Sequence, residues 1–333
     1  MIRTVRTPDG RRLAVCQRGD PDGAPVMLFH GTPGSRLGPV PRPMTLHACG
    51  IRLLTFDRPG FGESDRQPGR SVASVAADAC TVADALGIGR FAVLGRSGGG
   101  PHALACAALL PERVTRAAAM VALAPRDAMG DAWFAGMTPG NIEAYTQAFT
   151  DPEALRQVLE DRAARIRADP ASLLANIDEG LEPTDRAVIR QANIRQELVA
   201  AYAAAVSRSA DGWYDDALAL AAPWGFDPAD IRVPVYLWHG AEDRFSPVSH
   251  TRWLGERIPR ATVDLEPSAS HFSALLRMPQ VIVWSGARVS WDAAVGLGAR
   301  GRGTGTSGHR GSGQAGQPGQ PGRSVRIGPE RSS

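Results

Sequence analysis

Gly95-Arg96-Ser97-Gly98-Gly99 is the stretch of this 333-residue chain whose residue types and spacing most directly suggest chemistry. It follows the apolar run Phe91-Ala92-Val93-Leu94 and precedes the helix-compatible run 101–110. Strand, sharp turn and helix put a serine at the apex. The G-x-S-x-G spacing in that setting predicts a strained backbone that lifts the hydroxyl off the sheet edge. Gly95 and Gly99, two residues to either side, leave room for strand and helix to cross closely. A serine held this way can act as the nucleophile of acyl transfer. A dinucleotide-binding turn shares the strand–glycine–helix pattern. That turn follows a first strand and is answered about 20 residues on by an acidic residue closing the next strand. Here several strand-like segments come earlier, and that region offers only Glu112, inside a Pro-Glu-Arg turn.

The flanking elements predict how the serine is positioned. Residues 2–15 read as two short strands around Pro8-Asp9-Gly10. Val26-Met27-Leu28-Phe29 is a continuous apolar strand ending in His30-Gly31-Thr32-Pro33-Gly34-Ser35. Residues 51–56 form another, ending in Asp57-Arg58-Pro59-Gly60-Phe61-Gly62-Glu63-Ser64. A helix over 71–86, the strand 91–94, the Ser97 turn with its helix, and the strand 117–123 follow. Apolar strands alternating with helices predict an α/β fold: a mostly parallel central sheet covered by helices on both faces. The alternation stops near Pro125. Helical patterns over 140–149, 152–168, 170–180, 184–207 and 211–221 fill the region up to 230, several opened by Asp-Pro or Pro-Thr-Asp. Strands at 233–238 and 261–265 then resume the sheet. The expected organisation is a core of 1–125 and 231–280, an inserted all-helical cap of 126–230 over the strand ends, and a tail of 281–333.

Composition narrows the function classes. A 43% hydrophobic content supports a real core. Residues 285–333 carry a net charge of +5 and residues 1–284 a net of −2, so the basic character belongs to the tail. No basic stripe with interleaved aromatics marks nucleic-acid binding. No apolar run is long enough to span a bilayer, and Met1-Ile2-Arg3-Thr4-Val5-Arg6 opens no signal peptide. Cys16, Cys49, Cys80 and Cys106 show no metal or redox spacing and read as buried or half-buried free thiols, which fits a cytoplasmic protein. No metal or cofactor is expected, and the expected partner is a small-molecule substrate. The tail holds 13 glycines and repeats such as Gly316-Gln317-Pro318-Gly319-Gln320-Pro321-Gly322. Such a segment buries too little apolar surface to offset ordering and is expected to be disordered.

Over residues 1–280 the chain resembles the α/β-hydrolase fold superfamily. The motifs His30-Gly31-Thr32-Pro33-Gly34, 57–64, Gly95-Arg96-Ser97-Gly98-Gly99, and His239-Gly240-Ala241-Glu242-Asp243 with Ser270-His271-Phe272-Ser273 occur in the family's order. The resemblance implies a Ser…Asp…His triad of Ser97, Asp243 and His271, the acid and the base each in a loop after a strand. Imidazole suits proton removal from serine, and a buried carboxylate fixes its tautomer. The H-G-x-x-D spacing selects Asp243 over its neighbour Glu242. Asp127, just after the 117–123 strand, is the alternative acid. His30, His239 and His102 read as structural, and Asp57 and Ser64 as braces of the turn between them. The resemblance also implies an oxyanion hole from the amide of Gly98 and one from the His30–Pro33 loop. Pro33 has no N–H, so Thr32 is the second donor. The family's final helix is expected to be interrupted at Pro279 within two turns, as in a replaced or frameshifted terminus.

These features imply a serine hydrolase cleaving an ester of a small or medium organic acid through an acyl-enzyme. The strings around His30 and Asp57 are also similar to prolyl aminopeptidases, which use a cap carboxylate to hold the substrate amine; Glu143, Glu153, Asp178 and Glu179 are available. Ser97 argues against the dehalogenase and epoxide-hydrolase branches, whose nucleophile is Asp. A non-catalytic binding protein on the same fold is the alternative of a different class. Trp133, Phe134, Met137, Trp213, Tyr214, Trp224 and Phe226 are the large apolar groups expected to glue the cap to the body or to roof the cleft.

Overall fold

A computed structural model describes residues 2–178 and 181–286. The strands are β1 (Ile2–Arg6), β2 (Arg12–Gly19), β3 (Ala24–Phe29), β4 (Ile51–Phe56), β5 (Phe91–Arg96), β6 (Val114–Met120), β7 (Val235–Gly240) and β8 (Ala261–Glu266). They form one sheet in the order β1-β2-β4-β3-β5-β6-β7-β8. β1 and β2 pair antiparallel, as do β2 and β4; every later pairing is parallel. The sheet is therefore mostly parallel, as the apolar runs imply.

Helices α1 (Pro43–Ala48), α2 (Val75–Ala85) and α3 (Gly99–Leu109) lie between the first six strands. Then α4 (Arg126–Met129), α5 (Pro139–Thr150), α6 (Pro152–Ala168), α7 (Ser172–Asp178), α8 (Pro183–Ile189), α9 (Ala192–Ala205) and α10 (Asp211–Ala221) stand between β6 and β7. α11 (Val248–Arg257) connects β7 to β8, and α12 (Ala274–Gly286) ends the described chain. The described residues of the insertion and the sheet fall within one compact unit.

Period-two alternation assigns each sheet face its own cover. Met27, Phe29, Val93, Ala119 and Leu237 join a buried cluster with Ala79 and Val82 of α2, Leu104 of α3 and Leu254 of α11. The alternate residues point the other way. Tyr236 meets Trp284 of α12 with ring centroids 5.4 Å apart, and a Cβ built on Gly286 would lie 3.7 Å from Val26.

Two elements differ from the sequence expectation. The run 184–207 is two helices, broken before α9 at an extended Gln191. The five-residue step between buried Ile189 and Ile194 would put them on different faces of one helix, and the break lets both turn inward. The final helix is not interrupted at Pro279: α12 runs through it to Gly286, so the tail boundary at 281 falls inside a helix. Proline removes one backbone donor. Leu275, Met278, Val281, Ile282 and Trp284 remain buried across it, and that burial outweighs the lost bond. The rest of the predicted tail, from 287, lies outside the described residues. No helix among the described residues is long and apolar enough to cross a membrane. The four cysteines are free thiols; Cys49, at the end of α1, is exposed where burial was expected.

Candidate active site

Parallel strands deliver their C-terminal ends to one edge, and the loops after β3, β5, β7 and β8 carry Thr32, Ser97, Asp243 and His271 there. Ser97 sits directly after β5 with φ at +56°, in the left-handed region that a non-glycine residue enters at a cost of about 1–3 kcal/mol. Its N–H donates to Met120 O at 2.9 Å, and its carbonyl accepts from Gly100 N at 2.8 Å. Close approach explains the flanking glycines. A Cβ on Gly95 would stand 2.1 Å from Gly99 O, and one on Gly99 would stand 2.3 Å from Phe29 O. Thr32 and Gly98 lie against each other: a Cβ on Gly98 would meet Thr32 Oγ1 at 2.4 Å. Among the described residues, no backbone carbonyl takes up the amide of either Thr32 or Gly98.

His271 Nδ1 lies 2.8 Å from Asp243 Oδ2, and both residues are buried. Asp243 also accepts the amides of Phe245 at 2.7 Å and Ser246 at 3.1 Å. Burial works to raise the Asp243 pKa, but the nearby His271 and the hydrogen bonds from His239 and His271 hold it well below the usual carboxylate range. The ionised carboxylate only accepts, so His271 Nδ1 carries a proton and its Nε2 faces away from Asp243. His271 and Ser97 line the same cavity, although no hydrogen bond joins Ser97 Oγ to His271 among the described residues. Such bonds are often long in free enzymes.

The other candidates separate clearly. Asp127 is exposed on α4 and Glu242 is exposed beside Asp243. His239 Nε2 donates to Ser246 O at 2.6 Å, and its Nδ1 lies 2.6 Å from Thr251 Oγ1. His30 Nδ1 donates to Gly31 O at 2.8 Å and its Nε2 accepts from Arg58 N at 3.2 Å, so it fixes the loop that holds Thr32. His102 Nδ1 donates to Gly98 O at 2.8 Å, and burial holds its pKa down to about 3. Ser64 Oγ donates to Asp57 O at 2.6 Å, bracing the turn as expected. Glu143 and Glu153 are exposed; Glu179 lies outside the described residues, and Asp178 belongs to α7. Of the insertion's large apolar groups, Trp213 lines the cavity, whereas Trp133, Met137 and Trp224 belong to the core.

Residues that spacing alone did not single out complete the surroundings. Ser246 Oγ donates to Val121 O at 2.6 Å, where Val121 takes φ +45° at the end of β6. Asp216 of α10 receives Arg58 and Arg70 and accepts Thr32 Oγ1 at 2.5 Å, so the insertion is tied to the Thr32 loop. Arg96, read as the variable residue of the serine motif, is buried and lines the cavity. The cavity holds about 160 Å³ and is walled also by Tyr145, Tyr202, Phe245 and Phe272.

Comparison with known proteins follows the same outline. The chain is 29% identical over 266 residues to 2-hydroxymuconate semialdehyde hydrolase of Pseudomonas putida, covering 76% of this chain and 83% of that protein. It is 26% identical over 249 residues to a non-heme chloroperoxidase of Streptomyces lividans, covering 73% and 83%. Among solved structures, the enol-lactonase of Burkholderia xenovorans LB400 superimposes with a TM-score of 0.61 at 19% identity, covering 84% of this chain and 96% of that one. The family profile for the alpha/beta hydrolase fold matches residues 24–277, and the chain belongs to that family.

Proposed function

We propose that this protein is a cofactor-independent serine hydrolase that cleaves an ester or related acyl bond of a small organic substrate. The observation supporting this is the convergence of three features on one cavity: a strained Ser97, a His271 tied to Asp243, and two amides free of backbone partners. Ser97 Oγ attacks the acyl carbon while His271 Nε2 takes its proton. The amides of Gly98 and Thr32 receive the developing oxyanion. Collapse expels the alcohol with the proton returned by His271, and water repeats the sequence on the acyl-enzyme. Each role falls to a group of this chain. Hydrolase relatives such as the 2-hydroxymuconate semialdehyde hydrolase agree with the class.

The cavity size favours small acyl groups. A cavity of about 150 Å³ takes a molecule the size of benzene, and this one holds about 160 Å³. An aminopeptidase would need a carboxylate for the substrate amine. Glu143 and Glu153 are exposed, and among the described residues Arg96 and Arg162 line the cavity and no carboxylate does. We place the enzyme in the cytoplasm, where its free thiols stay reduced.

A fluorophosphonate probe with a p-nitrophenyl ester panel tests the reading. The probe is expected to label Ser97, and Ser97→Ala to lose labelling and ~10⁴–10⁶ in kcat while staying folded. Labelling elsewhere, or activity within about tenfold of the parent, would overturn it.

A further inference from the structure

Four arginines are buried among the described residues: Arg36, Arg58, Arg70 and Arg96. Burying a guanidinium is costly unless it is paired. Arg36 pairs with Asp57, and Arg58 and Arg70 share Asp216. Arg96 has no carboxylate partner among the described residues. It meets the Tyr202 hydroxyl, and its guanidinium stands over the Phe272 ring, 5.9 Å from the centroid. Asp185 and Asp243 attract it from a distance, but both are engaged elsewhere. Asp243 holds His271, and Asp185 accepts Ser270 Oγ and Phe272 N. Burial presses the Arg96 pKa downward.

Its location is specific. Arg96 Nη2 and Ser97 Cβ lie 3.4 and 3.5 Å from the point where a Gly31 side chain would begin. The guanidinium and the nucleophile therefore flank one glycine of the Thr32 loop and line the same cavity. A second guanidinium lines it from the insertion: Arg162 of α6, half-buried and in no ion pair among the described residues. Among the described residues, no Asp or Glu lines that cavity.

We propose that Arg96, with Arg162, forms a carboxylate-binding subsite beside Ser97, so that the substrate is a small ester whose acyl chain carries a carboxylate. The fork of a guanidinium matches a carboxylate in two parallel hydrogen bonds, and a dry site strengthens them. The bound anion supplies the counter-charge that Arg96 lacks. It also orients the acyl carbon over Ser97, so binding energy remote from the reacting bond serves the chemistry. This inference deepens the serine-hydrolase reading and rests on it for the kinetic comparison only.

Two measurements test it. Calorimetric titration with glutarate reads binding without turnover. The wild type is expected to bind one equivalent, and Arg96→Gln to weaken binding at least tenfold. Kinetics then compare mono-p-nitrophenyl glutarate with p-nitrophenyl valerate, which lacks the second carboxylate. The wild type is expected to prefer the anionic ester at least tenfold in kcat/KM, and Arg96→Gln to erase the preference mainly through KM. Should Arg96→Gln fail to fold, the wild-type preference for the anionic ester and its suppression by competing glutarate carry the decision. Absence of saturable glutarate binding by the wild type, or an equal loss on both esters in the variant, overturns the subsite. Glutarate binding without fluorophosphonate labelling supports the subsite and overturns the hydrolase reading alone.

Discussion

Asp185, on helix α8 of the insertion, accepts the backbone N–H of Phe272 at 2.6 Å. The same carboxylate accepts Ser270 Oγ at 2.6 Å. Both chain neighbours of His271 are thus held by one side chain that does not belong to the sheet. Removing it leaves a buried amide without its acceptor, a loss of about 1–3 kcal/mol. Asp185→Ala is expected to lower the denaturant midpoint and to lower kcat at least tenfold with a smaller change in KM. Asp185→Asn, which keeps an acceptor, should recover part of both. Wild-type kcat in Asp185→Ala would show that the His271 loop holds itself.

The acid of the proposed triad can be tested against its alternative. Asp243 is buried against His271, whereas Asp127 is exposed. Asp243→Asn should keep the fold and reduce kcat by ~10⁴, because the amide favours the wrong imidazole tautomer. Asp127→Asn should stay within about twofold. The reverse ranking in steady-state assays would move the acid to the loop after β6.

How much of this was legible follows from what each signal measures. Strands β3 to β7 were readable because burial on both faces leaves continuous apolar runs. The placement of Ser97, Asp243 and His271 just after strand ends was legible because local motifs at those ends carry them. Helices α1 and α11 carry weak sequence signals. The first has only six residues, less than two turns, and the second has a glycine, Gly255, inside it. Asp185 and Asp216 were invisible for another reason. Each lies in a stretch of the insertion that reads as ordinary helix surface, and its partner is 87 or 158 residues away. Arg96 was in plain view but stood at the motif's variable position, where spacing places no demand on residue type. Only the folded chain shows that its guanidinium is buried without a carboxylate partner among the described residues.

Gly98 carries a test of the oxyanion site. Its φ of −54° is open to any residue, so alanine adds no backbone strain. Its Cβ would nonetheless come within 2.4 Å of Thr32 Oγ1 and 2.9 Å of Thr32 Cβ. The two loops would have to part, and the amides with them. Gly98→Ala is expected to cost ~10²–10³ in kcat, the scale of losing one oxyanion donor. Far-ultraviolet circular dichroism should be unchanged. Unaltered kcat would dissociate these amides from catalysis.

Asp216 ties stability to pH with a definite sign. Burial works to raise its pKa, but Arg58, Arg70 and His102 hold it far below the ordinary 3.8. A carboxyl depressed by folding contributes stability above its unfolded value and loses it as pH falls through the folded value. The Asp216 contribution to the unfolding free energy should therefore decline as pH drops below about 3.8, and that of Asp243 has the same sign. Asp216→Asn leaves buried guanidinia uncompensated and should cost about 3–5 kcal/mol at pH 7. Its acid slope in urea titrations should be shallower than that of the wild type. Equal slopes would mean that the carboxylate is not held ionised by its arginines.

Trp213 and Tyr214 are adjacent on α10, roughly 100° apart around the helix, and this divides their expected roles. Trp213 lines the cavity with Ser97 and His271. Tyr214 lies beneath the Arg156 guanidinium, 3.9 Å from ring centroid to charge, and is absent from the cavity wall. Trp213→Leu enlarges the cavity. It is expected to shift the ranking of p-nitrophenyl esters toward longer chains, by several-fold in relative kcat/KM, because one methylene in an apolar pocket is worth about 1–3 kcal/mol. Tyr214→Leu removes a cation–π contact of about 0.5–1 kcal/mol and should lower the thermal midpoint with the ranking unchanged. A chain-length profile for both variants against the wild type separates the cases. If Trp213→Leu changes stability alone, the acyl pocket is set by Phe245 and Phe272, which reach the cavity from the loops carrying Asp243 and His271.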